Sequence, residues 1–204
     1  MRPRVLLPFF AVLLGVLALM LARATPPGPH SVDVTFVREM SQHHLQAVDM
    51  ATRIRDRTRD ETLRVLALDI MLSQQGQVGE MRGWLSIWGI PWGGPGMTGE
   101  HARQMGMATP EEIKAISELP VAQAEREFLR LMIRHHQGAI RMIEPVLRAR
   151  VRPQVRVLAT HMRDAQAAEI TFMTRLLRER GGTPLPPPGG TGTDDHTPGH
   201  HGAP

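Results

Sequence analysis

Two pairs of neighbouring histidines, each accompanied by methionines, are the residues of this sequence best suited to chemistry. The pairs are His43-His44 and His135-His136. Imidazole nitrogen accepts copper, zinc and nickel ions, whereas thioether sulfur is a soft ligand that suits Cu(I). The mixture therefore predicts a metal site and favours copper, as Cu(I) or Cu(II). The candidate metal-binding residues are His43, His44, His135, His136, Met40, Met132, Met50, Met142 and His161.

These candidates differ in their predicted roles. The four paired histidines are predicted ligands. Met40 and Met132 each lie three and four residues before a histidine pair, a spacing that puts side chains next to one another on a helix, so both are predicted soft partners. A helical methionine stripe is more often adaptable core filling. Met50, Met142 and His161 are therefore assigned to a second site or to the surroundings of the first.

The frame around each histidine pair predicts a helix with a buried face. At about 100° per residue, the frame residues fall within an arc of roughly 120°. Histidine is rare inside protein cores, and buried imidazole nitrogens need partners. The frame residues are Phe36, Met40, His43, His44, Ala47 and Met50 in the first copy, and Phe128, Met132, His135, His136, Ala139 and Met142 in the second.

The second frame follows the first at a constant offset of 92 residues. The same offset maps Arg64-Val65-Leu66-Ala67 onto Arg156-Val157-Leu158-Ala159 without a gap. The pattern indicates a helical hairpin that occurs twice, and neither hairpin can bury its apolar stripe alone. We therefore predict an all-α protein in which two tandem hairpins form one four-helix bundle, with a short extra helix in the central connection.

Composition divides the chain into a signal, a linker, the bundle and a tail. The N-terminal segment has arginines, then an apolar run, then Ala22-Arg23-Ala24, as is typical of a cleaved signal peptide. The alternative is an uncleaved membrane anchor. We expect export to the periplasm, the cell surface or the medium. The predicted boundaries are 1–24 for the signal, 25–32 for the linker, 33–180 for the bundle (33–89, connection 90–120, 121–180) and 181–204 for a disordered tail.

The central connection and the tail carry weaker metal signals. Met97, His101, Met105 and Met107 suggest a flexible loop that closes over a soft ion, or a solvated connection with incidental methionines. His196, His200 and His201 make the tail a metal-binding segment of low specificity.

Three local signals predict where helices begin and end. Asp60 is a predicted N-cap of the second helix, and Thr109-Pro110-Glu111-Glu112 predicts the start of the short helix. Pro145 predicts a kink or an end in the third long helix.

Composition also excludes several functions. Cysteine is absent, which removes thiolate-bound zinc, iron–sulfur clusters and covalently attached haem. The formal charge of +4 includes three arginines of the signal, so nucleic-acid binding gets no support. Glu39, Glu80 and Glu169 have no acidic counterpart 92 residues away, which disfavours a di-iron carboxylate site. No nucleophile elbow or phosphate loop occurs, and we predict no enzymatic activity.

Two alternatives to copper binding stay open. The bundle could hold b-type haem or another redox centre through a His/Met pair. It could also be a structural or interaction module without metal, in which one histidine of each pair bonds Gln74 or Gln166 and the other faces solvent.

Only neutral histidine binds metal, so metal binding is expected to weaken below about pH 6.

The doubled motif resembles the repeated pattern of the domain-of-unknown-function family numbered 305. The resemblance rests on Met40-x-x-His43-His44, Met132-x-x-His135-His136, Gln166-x-x-Glu169 and the connection Met105-Gly106-Met107-x-Thr109. It spans about residues 33–178, with Ile143 and Pro145 as departures. It implies a ferritin-like four-helix bundle that is usually exported, and some members are periplasmic copper-binding proteins with histidine and methionine ligands, implicated in copper resistance.

The sequence thus favours an exported, non-enzymatic protein that sequesters copper or passes it on. Its predicted partners are the metal ion and a copper donor or acceptor protein, with no nucleic acid and no membrane insertion after signal cleavage. One site or two, the copper oxidation state and the oligomeric state stay open at this point.

Overall fold

The chain is all-helical in the computed structural model, which describes residues 12–15, 25–94 and 96–189. The described residues contain no strand. Most of the predicted signal and the tail histidines His196, His200 and His201 lie outside the described residues. From residue 25 onward the helices are α1 (Val32–Arg55), α2 (Glu61–Ile87), α3 (Gly99–Gln104), α4 (Pro110–Glu118), α5 (Val121–Arg148) and α6 (Pro153–Glu179).

Side-chain caps fix where three of the helices begin. The backbone N–H of Val34 donates to Ser31 Oγ at 3.3 Å, and that of Leu63 donates to Asp60 Oδ1 at 2.9 Å. Thr109 and Glu112 form a reciprocal capping box at α4. Each cap satisfies a backbone donor that has no partner within its helix. The predicted N-caps Asp60 and Thr109 are confirmed.

The third long helix continues past Pro145. Helix α5 runs to Arg148, so the prediction that Pro145 could end it is wrong. The proline lies in the last turn, where it removes one backbone donor, while its own carbonyl accepts from Ala149 N–H at 3.0 Å. The helix therefore loses a single backbone hydrogen bond at Pro145, and its C-terminal turn is still hydrogen-bonded.

The methionine-rich connection is held by contacts with α1, and the prediction that it is a loop throughout is wrong. It contains the helix α3, and two glutamines of α1 hold its ends. Gln42 bonds both backbone groups of Met97, at 2.8 and 2.9 Å, and Gln46 bonds both backbone groups of Ala108, at 2.7 and 3.0 Å. Each amide side chain donates to the backbone C=O of its partner residue and accepts from the backbone N–H of the same residue.

The four long helices pack so that α1 and α5 are the central pair. Helix α1 contacts α2 and α5, α5 contacts α6, and the short helix α4 covers α1 and α5. Two apolar clusters fill the interior, and on both central helices the histidines lie between them. Among the described residues, no helix has the length and apolar character that crossing a membrane requires.

Candidate metal centre

The four paired histidines form one buried layer between α1 and α5. His43, His44 and His136 have no exposed surface, and His135 is 1% exposed. The rings of His43 and His135 stack with centroids 3.6 Å apart and planes inclined by 31°. His44 lies 6.4 Å from His43, and His136 lies 6.3 Å from His135. The two helices therefore meet in this layer through the rings of His43 and His135.

Every Nε2 atom of this layer is hydrogen-bonded to an oxygen. His43 bonds the backbone carbonyl of Met105 at 3.0 Å, and His135 bonds the backbone carbonyl of His43 at 3.1 Å. His44 bonds the amide oxygen of Gln77 at 2.7 Å, and His136 bonds a carboxylate oxygen of Glu169 at 2.5 Å. Since oxygens of these groups accept, each Nε2 carries the hydrogen and donates.

The Nδ1 atoms of the same four rings are buried, and no described residue hydrogen-bonds them. With hydrogen on Nε2, each Nδ1 has a free lone pair directed into the interior. A buried polar atom without a partner is costly, and a metal ion is one partner that removes this cost. Metal-binding histidines typically donate their second ring nitrogen to a carbonyl or carboxylate, as all four do here.

The structure contradicts the partners and the solvent-facing ring that the metal-free alternative assigned, although all four rings do form hydrogen bonds in the core. No histidine of the four faces solvent. Gln74 and Gln166, the proposed partners, do not bond the rings: both amide atoms of Gln74 and the Oε1 of Gln166 are buried without a partner among the described residues. Gln77 and Glu169 take that role because they lie about one turn further along α2 and α6.

Gln77 and Glu169 are the main residues that sequence reasoning missed. Each follows its histidine by 33 positions, so the offset of 92 residues also relates Gln77 to Glu169. That shared spacing was the available signal. In the sequence, the pairing of an amide with a carboxylate counts only against a di-iron site, and it does not by itself indicate two acceptors for histidine.

The methionines lie in the two apolar clusters on either side of the histidine layer. Both clusters combine thioethers from the two hairpins. One contains Met40, Met81, Met142 and Met162, and the other contains Met50, Met132 and Met173. The structure thus places all four predicted methionines in the apolar clusters that flank the layer, but it leaves His161 exposed on α6.

The contact of the central connection with the histidine layer is made by a backbone atom, the carbonyl oxygen of Met105. Met97 and Met107 are buried in the cluster with Met40, whereas His101 is half exposed and lies 3.5 Å from Glu39. The Met105 carbonyl reaches His43 because Gly138 lets the connection touch α5. A Cβ atom on Gly138 would lie 1.7 Å from that oxygen.

Burial favours the neutral form of His43, His44 and His135. Desolvation is the main cause that lowers the pKa of His43 to about 4 and the pKa of His44 to about 3, and it lowers the pKa of His135 well below 6.5. A hydrogen bond to Met105 partly opposes the shift at His43, and one to Gln77 does so at His44. Protons therefore compete with a metal ion for these three rings only at a lower pH than the value near 6 that the sequence predicted.

The donor set suits a soft ion. In the part of the chain that the structure describes, no three His, Cys, Asp or Glu side chains are grouped to hold a metal ion. This holds for the four histidines as well, so a metal ion held here would need methionine sulfur to complete its coordination. Copper, which accepts imidazole nitrogen and, as Cu(I), thioether sulfur, fits the residues that surround it.

Solved structures similar to this chain share its helical fold. A DUF305 fragment from Deinococcus radiodurans is 49% identical with a TM-score of 0.70, over 76% of this chain and 99% of that one. A DUF305 protein from Streptomyces coelicolor, described as a candidate secreted protein, is 38% identical with a TM-score of 0.71, over 78% and 99%. CopM in its Cu(I)-bound form is 28% identical with a TM-score of 0.62, over 74% and 98%.

CopM has also been solved in Cu(II)-bound, silver-bound and apo forms. No curated protein matches the chain. The family model described as a domain of unknown function (DUF305) matches residues 33–177, which is most of the sequence. The chain therefore belongs to the DUF305 family.

Proposed function

We propose that this protein binds copper in its histidine layer and sequesters the metal or passes it on, without catalysing a reaction. One observation carries the proposal: four buried imidazoles donate from Nε2 to oxygens while their Nδ1 lone pairs have no hydrogen-bond partner among the described residues. This is the arrangement in which histidine binds a metal through one nitrogen and is oriented through the other.

The ligands in this proposal are His43, His44, His135 and His136. Methionine sulfur from the flanking clusters completes the coordination, with Met40 and Met132 as first candidates and Met50 and Met142 as alternatives. Thioether ligands stabilise Cu(I), so sulfur in the coordination sphere favours the reduced ion. Copper moves to or from a donor or acceptor protein in this account.

Comparison with relatives supports the metal and the location. CopM binds copper and silver ions in its solved forms, and it is similar to this chain over most of its length. The apolar N-terminal segment and the candidate secreted relative from Streptomyces coelicolor support export. We also propose that the four long helices form a ferritin-like bundle, since the two helix pairs pack through α1 and α5.

Titration of the full chain with Cu(I) and Cu(II) tests the proposal. The double variant His43→Ala/His135→Ala removes the stacked central pair, and we expect it to lose copper stoichiometry or affinity. His161→Ala removes an exposed histidine and serves as the matched control, with binding as in the wild type. Wild-type stoichiometry and affinity in the double variant would remove these histidines from the site.

Elemental analysis of protein purified from its host separates copper from the other candidates. We expect copper and no visible Soret band. A Soret band would favour haem instead. The stacked contact between His43 and His135 leaves no space for a porphyrin between those two rings.

A further inference from the structure

We infer that His44 and His136 are inequivalent copper ligands: Glu169 gives the His136 side of the layer a preference for Cu(II), and Gln77 leaves the His44 side without that preference. This inference rests on the proposed copper function. Gln77 and Glu169 each orient a histidine and are not predicted copper ligands, so both are positioning residues.

The His44 and His136 sides of the layer have the same hydrogen-bond pattern but different charge. His44 and His136 are both fully buried, both have an unpartnered Nδ1, and both donate from Nε2 to a residue 33 positions later. The acceptor is a neutral amide in Gln77, at 2.7 Å, and a carboxylate in Glu169, at 2.5 Å. The one chemical difference between these hydrogen bonds is therefore a negative charge.

That charge changes what the ring offers to a metal. A carboxylate that accepts the Nε2 hydrogen draws the proton toward itself and makes Nδ1 a more basic, more electron-rich ligand. It also offsets charge on the bound ion in a low-dielectric interior. Cu(II) carries one positive charge more than Cu(I), so it gains more from Glu169. A neutral amide orients the ring without this preference.

Glu169 also connects the buried layer to the surface. Its side chain is 25% exposed and lines a groove of about 530 Å³ between α2 and α6. Two more carboxylates, Glu61 and Asp69, line the same groove. The groove walls are otherwise mainly apolar, so its three carboxylates are the groups that would attract a cation to the Glu169 side.

The experiment exchanges the two acceptors in the full chain. Affinities for Cu(I) and Cu(II) are measured by competition with chelators, and His44→Gln and His136→Gln assign each affinity to its side. Glu169→Gln keeps the shape and the acceptor oxygen but removes the charge. We expect it to lower Cu(II) affinity on the His136 side about ten- to a hundred-fold and Cu(I) affinity by a smaller factor.

The reciprocal variant and a control complete the test. Gln77→Glu should raise the Cu(II) over Cu(I) preference of the His44 side, and it carries the test if Glu169→Gln fails to fold. Glu80→Gln removes an exposed carboxylate of α2 and should leave both affinities unchanged. Equal losses of Cu(I) and Cu(II) affinity in Glu169→Gln, or no change in either acceptor variant, would overturn the inference while copper binding stands. No copper binding to the wild-type histidines would overturn both proposals.

Discussion

At the scale of single residues, the tautomer of the four histidines decides what the site can do. Oxygen acceptors at Nε2 leave every Nδ1 as a buried lone pair. The acceptors come from a backbone carbonyl of α1, a carbonyl of the central connection and two side chains of the outer helices. The ligand face therefore depends on contacts from several parts of the chain.

Gly138→Ala should disturb one of these contacts. The new methyl group would fall 1.7 Å from the Met105 carbonyl, so the connection must move away and His43 loses its acceptor. We expect destabilisation of about 1–3 kcal/mol in denaturant unfolding, and weaker copper binding.

Gly79→Ala is the matched control for this prediction, because nothing lies within 4 Å of a Cβ added on that residue of α2. It should stabilise the helix by about 0.5–1 kcal/mol and leave copper affinity unchanged. Equal effects of the two substitutions would show that the close approach to Met105 is not important.

At the scale of elements, the central connection forms a cover over α1 and α5 that hydrogen bonds from α1 hold in place. Gln42 and Gln46 are four residues apart on one helix face, and each bonds both backbone groups of one residue of the connection. The methionines between these two attachment points therefore have defined positions relative to the histidine layer.

Gln46→Ala should loosen this cover. The substitution leaves the Ala108 N–H without its acceptor at 2.7 Å, and the net loss of about two hydrogen bonds corresponds to about 1–3 kcal/mol. We expect amide hydrogen exchange at Ala108 to become about ten-fold faster or more, while core amides of α5 keep most of their protection.

Gln75→Ala, at an exposed position of α2, should leave exchange in the connection unchanged. Faster exchange throughout the chain in Gln46→Ala would instead indicate that the glutamine supports the whole fold.

The sequence predicted the long helices well and the connection poorly, for a physical reason. Apolar periodicity and caps such as Asp60 are local signals, so they can be interpreted from neighbouring residues. The conformation of residues 97–108 depends on Gln42, Gln46 and Gly138, which are distant from that segment in the chain. The hydrogen bond from His136 to Glu169 is likewise a tertiary contact, and only the 33-residue spacing hints at it.

At the scale of the whole molecule, burying several neutral histidines links stability to pH. The pKa of His43 is about 4 and that of His44 is about 3 in the folded state, against 6.5 for the exposed residue, mainly because of desolvation. Between pH 6.5 and 4 the unfolded chain therefore binds more protons than the folded chain. The free energy of unfolding must fall as the pH is lowered through this range.

We expect the metal-free protein to lose about 1.4 kcal/mol per pH unit for each histidine that responds fully. Urea unfolding between pH 7 and 4 measures the slope. His44→Gln should reduce it, and His161→Ala should not, because His161 is exposed. A free energy of unfolding that is constant over this range would mean that the rings are accessible to protons in the folded state.

The central claim, that copper binds to the Nδ1 atoms of the buried layer, is tested most directly by long-range ¹H–¹⁵N NMR of the histidine side chains. Without metal at neutral pH, we expect hydrogen on Nε2 of all four rings, and we expect His43, His44 and His135 to be neutral. On addition of diamagnetic Cu(I), their Nδ1 resonances should move while the Nε2 hydrogens remain. Rings with hydrogen on Nδ1, or Cu(I)-induced shifts confined to other histidines, would contradict it.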